Sequence, residues 1–180
     1  IIAHAAYLAE PDSLALISSI EHPSVTESAR HWFSDRVRTI PTEPSGLIDL
    51  DRFSDLLDQL PNLAIVCLMA ANNETGVLQP WLEVAELCRK RGVRFHCDAT
   101  QWVGKLPLSD LAVCSSLTAS AHKFGGSKGV GFLASEEPHP FVFGGRQENG
   151  RRGGTENYPG IEAMRVAWHW VNDRLPELPQ

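Results

Sequence analysis

No stretch of this chain approaches the roughly 20 consecutive apolar residues that a membrane-spanning helix needs. The opening IIAHAAYLAE also lacks the basic flank and cleavage site of a secretory signal. Positive charge is scarce too: 16 Lys and Arg against 22 Asp and Glu give a formal net charge of -6, which excludes a broad electrostatic footprint for nucleic acid or anionic lipid. A single RRGG run in so acidic a chain points to anion or substrate contact rather than RNA. CxxC pairs and zinc-ligand spacings are absent, since Cys67, Cys88, Cys97 and Cys114 stand far apart. Three of them sit in apolar runs (IVCLM, FHCDA, LAVCSS) and Cys88 on the apolar face of a helix, so reduced core thiols are expected. A soluble, cytoplasmic protein with small-molecule or protein partners follows.

What is present is an alternation. Short β-rich runs (LALIS, VRTI, LAIVCLM, VRFHC, AVCSSLT) exchange with segments of helical period from about Ser24, Asp51 and Trp81. That order predicts an α/β fold with a mainly parallel sheet and helices on both faces. The 180 residues suit one domain. Pro80 and Gly92 bracket one helix, with Trp81, Ala85 and Cys88 on one face. Ile161, Met164, Trp168, Val171 and Leu175 draw an apolar stripe along another. GVGFLA enters a strand instead of opening a helix, and GGSKG lacks the ending of a phosphate-binding P-loop, so these glycines predict a tight turn.

In open α/β sheets, ligands bind beyond the carboxyl ends of the strands. Four apolar runs here end in chemistry: LALISSI at Glu21 and His22, LAIVCLMAA at Asn72, Asn73 and Glu74, VRFHC at Asp98 and Gln101, and CSSLTA at Ser120, His122 and Lys123. Singly, each has a plainer reading, as a turn, a loop cap or a solvated lysine. Together they place an imidazole, amides, a carboxylate and an amine on one sheet edge. An aldehyde cofactor with a pyridine ring needs such a set: an amine to form an imine, an anion to keep the ring nitrogen protonated, and an aromatic ring to cover its face.

Around these residues, ISSIEHPSV, AANNETGVLQP, FHCDATQ, SAHKFGGSKGVGFL and ENGRRGGTEN occur in order. The sequence from about Ile17 to Met164 thereby resembles the cysteine desulfurases and selenocysteine lyases of the class V aminotransferase family. The resemblance implies the large-domain core of a fold type I enzyme using pyridoxal 5'-phosphate. It implies that Lys123 holds that cofactor as an imine, that His22 stacks on its ring and that Asp98 pairs with the ring nitrogen. Gln101 and Asn73 are implied at the phenolic oxygen, and Ser120 and His122 at the phosphate. Thr155 is implied to reach the phosphate of a neighbouring subunit, hence a homodimer. Ser127 stands where the family commonly has proline, Gly153 where it has serine, and Arg146 and Asn149 also depart from common choices.

The implied activity is conversion of L-cysteine to L-alanine, with sulfur passing as a persulfide to an enzyme cysteine and then to an acceptor protein, as in iron-sulfur cluster assembly. The family's phosphate loop and small domain are expected outside residues 1 to 180, along with its nucleophilic cysteine and carboxylate-binding arginine, so this chain alone is expected to lack a complete active site. A selenocysteine lyase, a class V transaminase and a non-catalytic dimerisation module stay open as alternatives.

Overall fold

The computed structural model describes residues 1–107, 111–136, 140 and 142–175. Six strands form one sheet: β1 (Leu14–Ser18), β2 (Val37–Ile40), β3 (Leu63–Met69), β4 (Phe95–Asp98), β5 (Ser116–Ser120) and β6 (Gly131–Ser135). Their spatial order is β2-β1-β3-β4-β5-β6, with β5 and β6 antiparallel and every other pairing parallel. The helices are α1 (Ile2–Leu8), α2 (Pro23–Phe33), α3 (Leu50–Gln59), α4 (Trp81–Lys90), the short α5 (Gln147–Gly150) and α6 (Tyr158–Asn172).

Strand side chains alternate between two cores because successive residues point to opposite faces. Ala15, Ile17, Ile65 and Cys67 pack with Ile2, Ala5, Val25, Ala29 and Phe33 of α1 and α2. Leu16, Val66 and Leu68 pack on the other face with Phe53, Leu57, Trp81, Val84 and Cys88 of α3 and α4. Burial on both faces explains why LALIS and LAIVCLM read as continuous apolar runs. Chain direction explains the placement of the helices: β1 to β2 steps one way along the sheet and β2 to β3 steps back, so right-handed crossovers put α2 and α3 on opposite faces.

Two strands start later than the sequence suggests. Residues 111–113 form a 3-10 turn, the Ser115 hydroxyl accepts from Phe95 N–H at 3.1 Å, and pairing of β5 with β4 begins at Ser116 opposite His96. Local turn bonding thus takes the first half of AVCSSLT, and Val93 and Arg94 likewise precede β4. The stripe on α6 packs Met164, Trp168 and Val171 on the core, whereas Leu175 lies past the end of the helix at Asn172. All four cysteines are free and buried. No helix among the described residues is long and apolar enough to cross a membrane.

Gly104 and Gly129 separate two effects of a glycine. Both have positive φ, +77° and +76°, but a Cβ on Gly104 would run into Phe124 Cβ, while nothing lies within 4 Å of one on Gly129. Gly129→Ala is expected to cost about 1 kcal/mol, the conformational part alone, and Gly104→Ala about 2–4 kcal/mol, because crowding of Phe124 adds to it. Urea denaturation midpoints of the two variants check the difference, and equal losses would remove the packing role assigned to Gly104.

Candidate active site at the beta1/beta3 switch

The strand order reverses between β1 and β3, which opens a crevice at their carboxyl ends. It has a volume of about 420 Å³ and brings together His22, Asn73, Asp98, Gln101, Ser120, His122 and Lys123, with Ser24, Met69, Ala71 and Thr100 also lining it. That size suits a small cofactor. Seven of the eight residues to which the resemblance assigns a role therefore converge. The eighth, Thr155, is exposed on the loop before α6 and is not among the lining residues.

Each contributing segment has its own local reason for turning into the crevice. His22 is the N-cap of α2: its Nδ1 accepts the backbone N–H of Ser24 at 3.2 Å and lies 2.9 Å from the Ser24 hydroxyl. An accepting Nδ1 leaves the proton of the neutral ring on Nε2. Pro23 at the first turn supports the cap, since proline fixes the helical φ and has no N–H to satisfy.

After β3 the two asparagines divide their work. Asn72 Oδ1 accepts from the N–H groups of Glu74 and Thr75, each at 2.9 Å, and from the Thr75 hydroxyl at 3.1 Å. Its Nδ2 donates to Ile20 O at 3.2 Å. Asn72 thereby folds the turn, and Asn73 is the amide left to line the crevice.

Asp98 ends β4, where its Oδ1 accepts the N–H of Thr100 at 2.9 Å, fixing the carboxylate's orientation. One strand pleat behind it, His96 is buried with Nδ1 3.0 Å from the Ser116 hydroxyl. Burial, the largest influence, pushes that imidazole down to about 4, with the charge of Asp98 opposing. His96 is therefore neutral at physiological pH and leaves the negative charge of Asp98 uncancelled.

Lys123 closes a 3-10 turn, 121–123, directly after β5. Ala121 N–H donates to Val130 O at 3.0 Å, and the N–H groups of Phe124 and Gly126 return to Ala121 O at 3.1 and 2.8 Å. This turn gives the GGSKG glycines the role the sequence suggests. The Lys105 ammonium is lowered by partial burial and, secondarily, by the positive charge of Lys123. A second amine thus lies within electrostatic reach of the first.

Ser24, Met69, Ala71 and Thr100 were not singled out from the sequence. Ser24 and Thr100 carry a legible signal, a hydroxyl two positions after a strand-end His or Asp, whereas Met69 and Ala71 carry none.

The four thiols stand apart from this chemistry. None lines the crevice. Burial drives Cys67 well above the ordinary thiol range and Cys88 up to about 12. Cys97 is raised too, first by its hydrogen bond with Cys114 and then by burial.

The aminotransferase class-V family model matches residues 1–175. A cysteine desulfurase of Klebsiella pneumoniae is 42% identical over 180 residues, covering 96% of this chain and 45% of that protein. A cysteine desulfurase of Sinorhizobium fredii is 43% identical over 168 residues, covering 88% of this chain and 43% of that protein. Among solved structures, a NifS-like protein from Rickettsia africae superposes with a TM-score of 0.83 at 30% identity, covering 98% of this chain and 51% of that one. The chain spans about half the length of the curated relatives it matches. With a crevice built at four strand ends and a family match over residues 1–175, the chain belongs to the class-V aminotransferase family.

Proposed function

We propose that the crevice holds pyridoxal phosphate and that the whole protein uses it to take sulfur from L-cysteine, releasing L-alanine. The observation that carries this reading is the convergence of Lys123, Asp98 and His22 from three separate strand ends into one crevice. Two relatives above 40% identity are cysteine desulfurases, which supports the substrate.

The donor set fits the cofactor group by group. Lys123 supplies the amine for covalent attachment, and Asp98 the anion for a protonated ring nitrogen. His22, capped through Nδ1, offers an exposed ring face for stacking. Gln101 and Asn73 offer amides to the phenolic oxygen, and Ser120 and His122 offer donors to the phosphate. Thr155, exposed on its loop, would serve the phosphate of a second subunit in a homodimer. When bound, the cofactor supplies a ring that draws electrons from the alpha carbon of the amino acid.

Lys123 would be the local base that moves the proton of that carbon. Its turn is fixed by backbone hydrogen bonds, so only the side chain swings. A thiolate would then attack the substrate sulfur: the S–S bond of a persulfide forms as the C–S bond breaks, and the electron pair left on carbon takes up a proton on the way to alanine. Buried thiols held protonated are poor nucleophiles, so Cys67, Cys88 and Cys97 do not serve. Cys114 is buried and outside the crevice as well, so the acceptor thiol would be a cysteine other than these four.

The test is to incubate the complete protein with L-cysteine and follow alanine and protein-bound persulfide together, with free pyridoxal phosphate as the blank. Alanine in step with persulfide on a cysteine outside residues 1 to 180 is expected. Alanine without persulfide would support a different lyase chemistry, and repeated turnover with persulfide on one of the four buried cysteines would show that the nucleophile is misplaced.

A further inference from the structure

Glu21 lies directly before His22 and takes no part in the scheme above, yet it is buried, with 8% of its surface exposed. Its Oε1 accepts from the Ser18 hydroxyl at 2.6 Å and from Met69 N–H at 2.7 Å. Ser18 is the last residue of β1 and Met69 the last of β3. One carboxyl oxygen therefore bridges the two strand ends at the place where the sheet parts to make the crevice. The other oxygen, Oε2, is buried and has no hydrogen-bond partner among the described residues.

The two oxygens differ in chemistry. Oε1 receives two donors, which makes it the acceptor of the group. A full negative charge would leave Oε2 an unmet acceptor away from water, at high cost. A proton on Oε2 removes that charge and leaves both bonds at Oε1 in place.

We propose that Glu21 is a positioning residue of the crevice: a carboxyl that stitches β1 to β3 and, while it holds its proton, leaves Asp98 as the site's negative charge. Met69 is paired in register with Asp98, so the carboxyl bonded to Met69 N–H lies one strand from Asp98. Two carboxyls so placed resist ionising together, and their environments divide the roles. Asp98 faces the crevice and accepts a backbone N–H; Glu21 is enclosed.

Burial is the main influence on Glu21, raising it to about 7; the bonds from Ser18 and Met69 pull downward and the charge of Asp98 pushes up. Among the described residues, the thiols of Cys67 on β3 and Cys97 on β4 also interact with Glu21, and both are pushed up toward the protonated form; His96 on β4 is neutral. Loss of the Glu21 proton thus places a second anion beside Asp98. That second charge opposes binding of an anionic, phosphate-bearing ligand in the crevice, a consequence resting on the reading given under Proposed function.

The experiment is a carboxyl 13C NMR titration of the complete protein from pH 4 to 9, paired with pyridoxal phosphate affinity at pH 6 and 8. One glutamate should titrate near neutral pH and vanish from the spectrum of Glu21→Gln. Its midpoint should fall in Asp98→Asn and rise in Ser18→Ala, so the assignment stands even where Glu21→Gln folds poorly. The ratio of wild-type to Glu21→Gln dissociation constants should rise about tenfold between the two pH values, as one ionisation gives over a unit past its midpoint.

Stability gives a further readout. A folded acid raised from 4.5 to about 7 holds a proton that the unfolded chain has lost. Wild-type stability should therefore fall relative to Glu21→Gln as pH rises through that window. Absence of any glutamate titrating above pH 6, a midpoint unmoved by Asp98→Asn, or a constant affinity ratio would each overturn the proposal. The NMR arm needs no cofactor: failure to bind pyridoxal phosphate at either pH would sink the reading above, while the titration still decides Glu21.

Discussion

In the complete protein, Asp98→Asn is expected to slow hydrogen exchange at the alpha carbon of a bound amino acid by about a thousandfold. A charge pair at ~4 Å in an effective dielectric near 20 interacts by about 4 kcal/mol, and each 1.36 kcal/mol is about tenfold in rate. An asparagine keeps the side-chain shape and an oxygen for the Thr100 N–H that Asp98 Oδ1 accepts at 2.9 Å. What it loses is the anion, and with neutral His96 behind it nothing in that part of β4 replaces the charge. Folding should suffer little, with a melting temperature within about 2–4 °C of wild type, as about 1 kcal/mol produces in a domain of this size. Deuterium washout followed by proton NMR, alongside thermal melts, checks both halves. Wild-type washout in a correctly folded variant would remove the charge role assigned to Asp98.

Lys123→Ala should have the larger effect on chemistry. Borohydride reduction of the complete protein with pyridoxal phosphate should fix a label on Lys123 in the wild type and none at that position in the variant. Turnover should fall about 10⁴-fold, the upper end for loss of a positioned proton-transfer group. The side chain is exposed and its turn is held by backbone bonds to Ala121 and Val130, so stability should change by no more than about 0.5 kcal/mol. Lys105 is the informative control, because its amine feels the charge of Lys123 but does not line the crevice. Peptide mapping that finds the wild-type label on Lys105, Lys90 or Lys128 would reject Lys123 as the attachment point.

Much of this was open to reading in the sequence because the site is built at strand ends. Continuous apolar runs mark strands buried on both faces, and the residue after each run falls where a parallel sheet delivers it. His22, Asp98 and Lys123 were found that way without knowledge of strand order. Choosing between Asn72 and Asn73 was beyond the same logic: adjacent, chemically identical residues are separated only by the turn that Asn72 itself folds. Strand starts are less legible for a similar reason: Cys114 lies in an apolar run but its N–H is taken by Leu111 O in a local turn, and the Ser115 hydroxyl, not its backbone, meets Phe95 N–H. Glu21 shows the deepest limit. A glutamate beside a histidine in a polar stretch reads as solvated, and only the spacing of the ends of β1 and β3 reveals that it is enclosed.

The antiparallel turn from β5 into β6 bears on how the lysine, in the role proposed for it above, would act twice in one cycle. Ser120 and Gly131, on either side of the lysine's turn, are opposite each other at the end of a ladder of five residue pairs. Gly131 has no room for a side chain there, since a Cβ would press on Ala119 O at 2.6 Å. The lysine is thus mounted on a clamped corner, not on a loop that opens and shuts. In that role its amine would work like a reagent on a short tether with a fixed anchor, released and returned by side-chain motion alone.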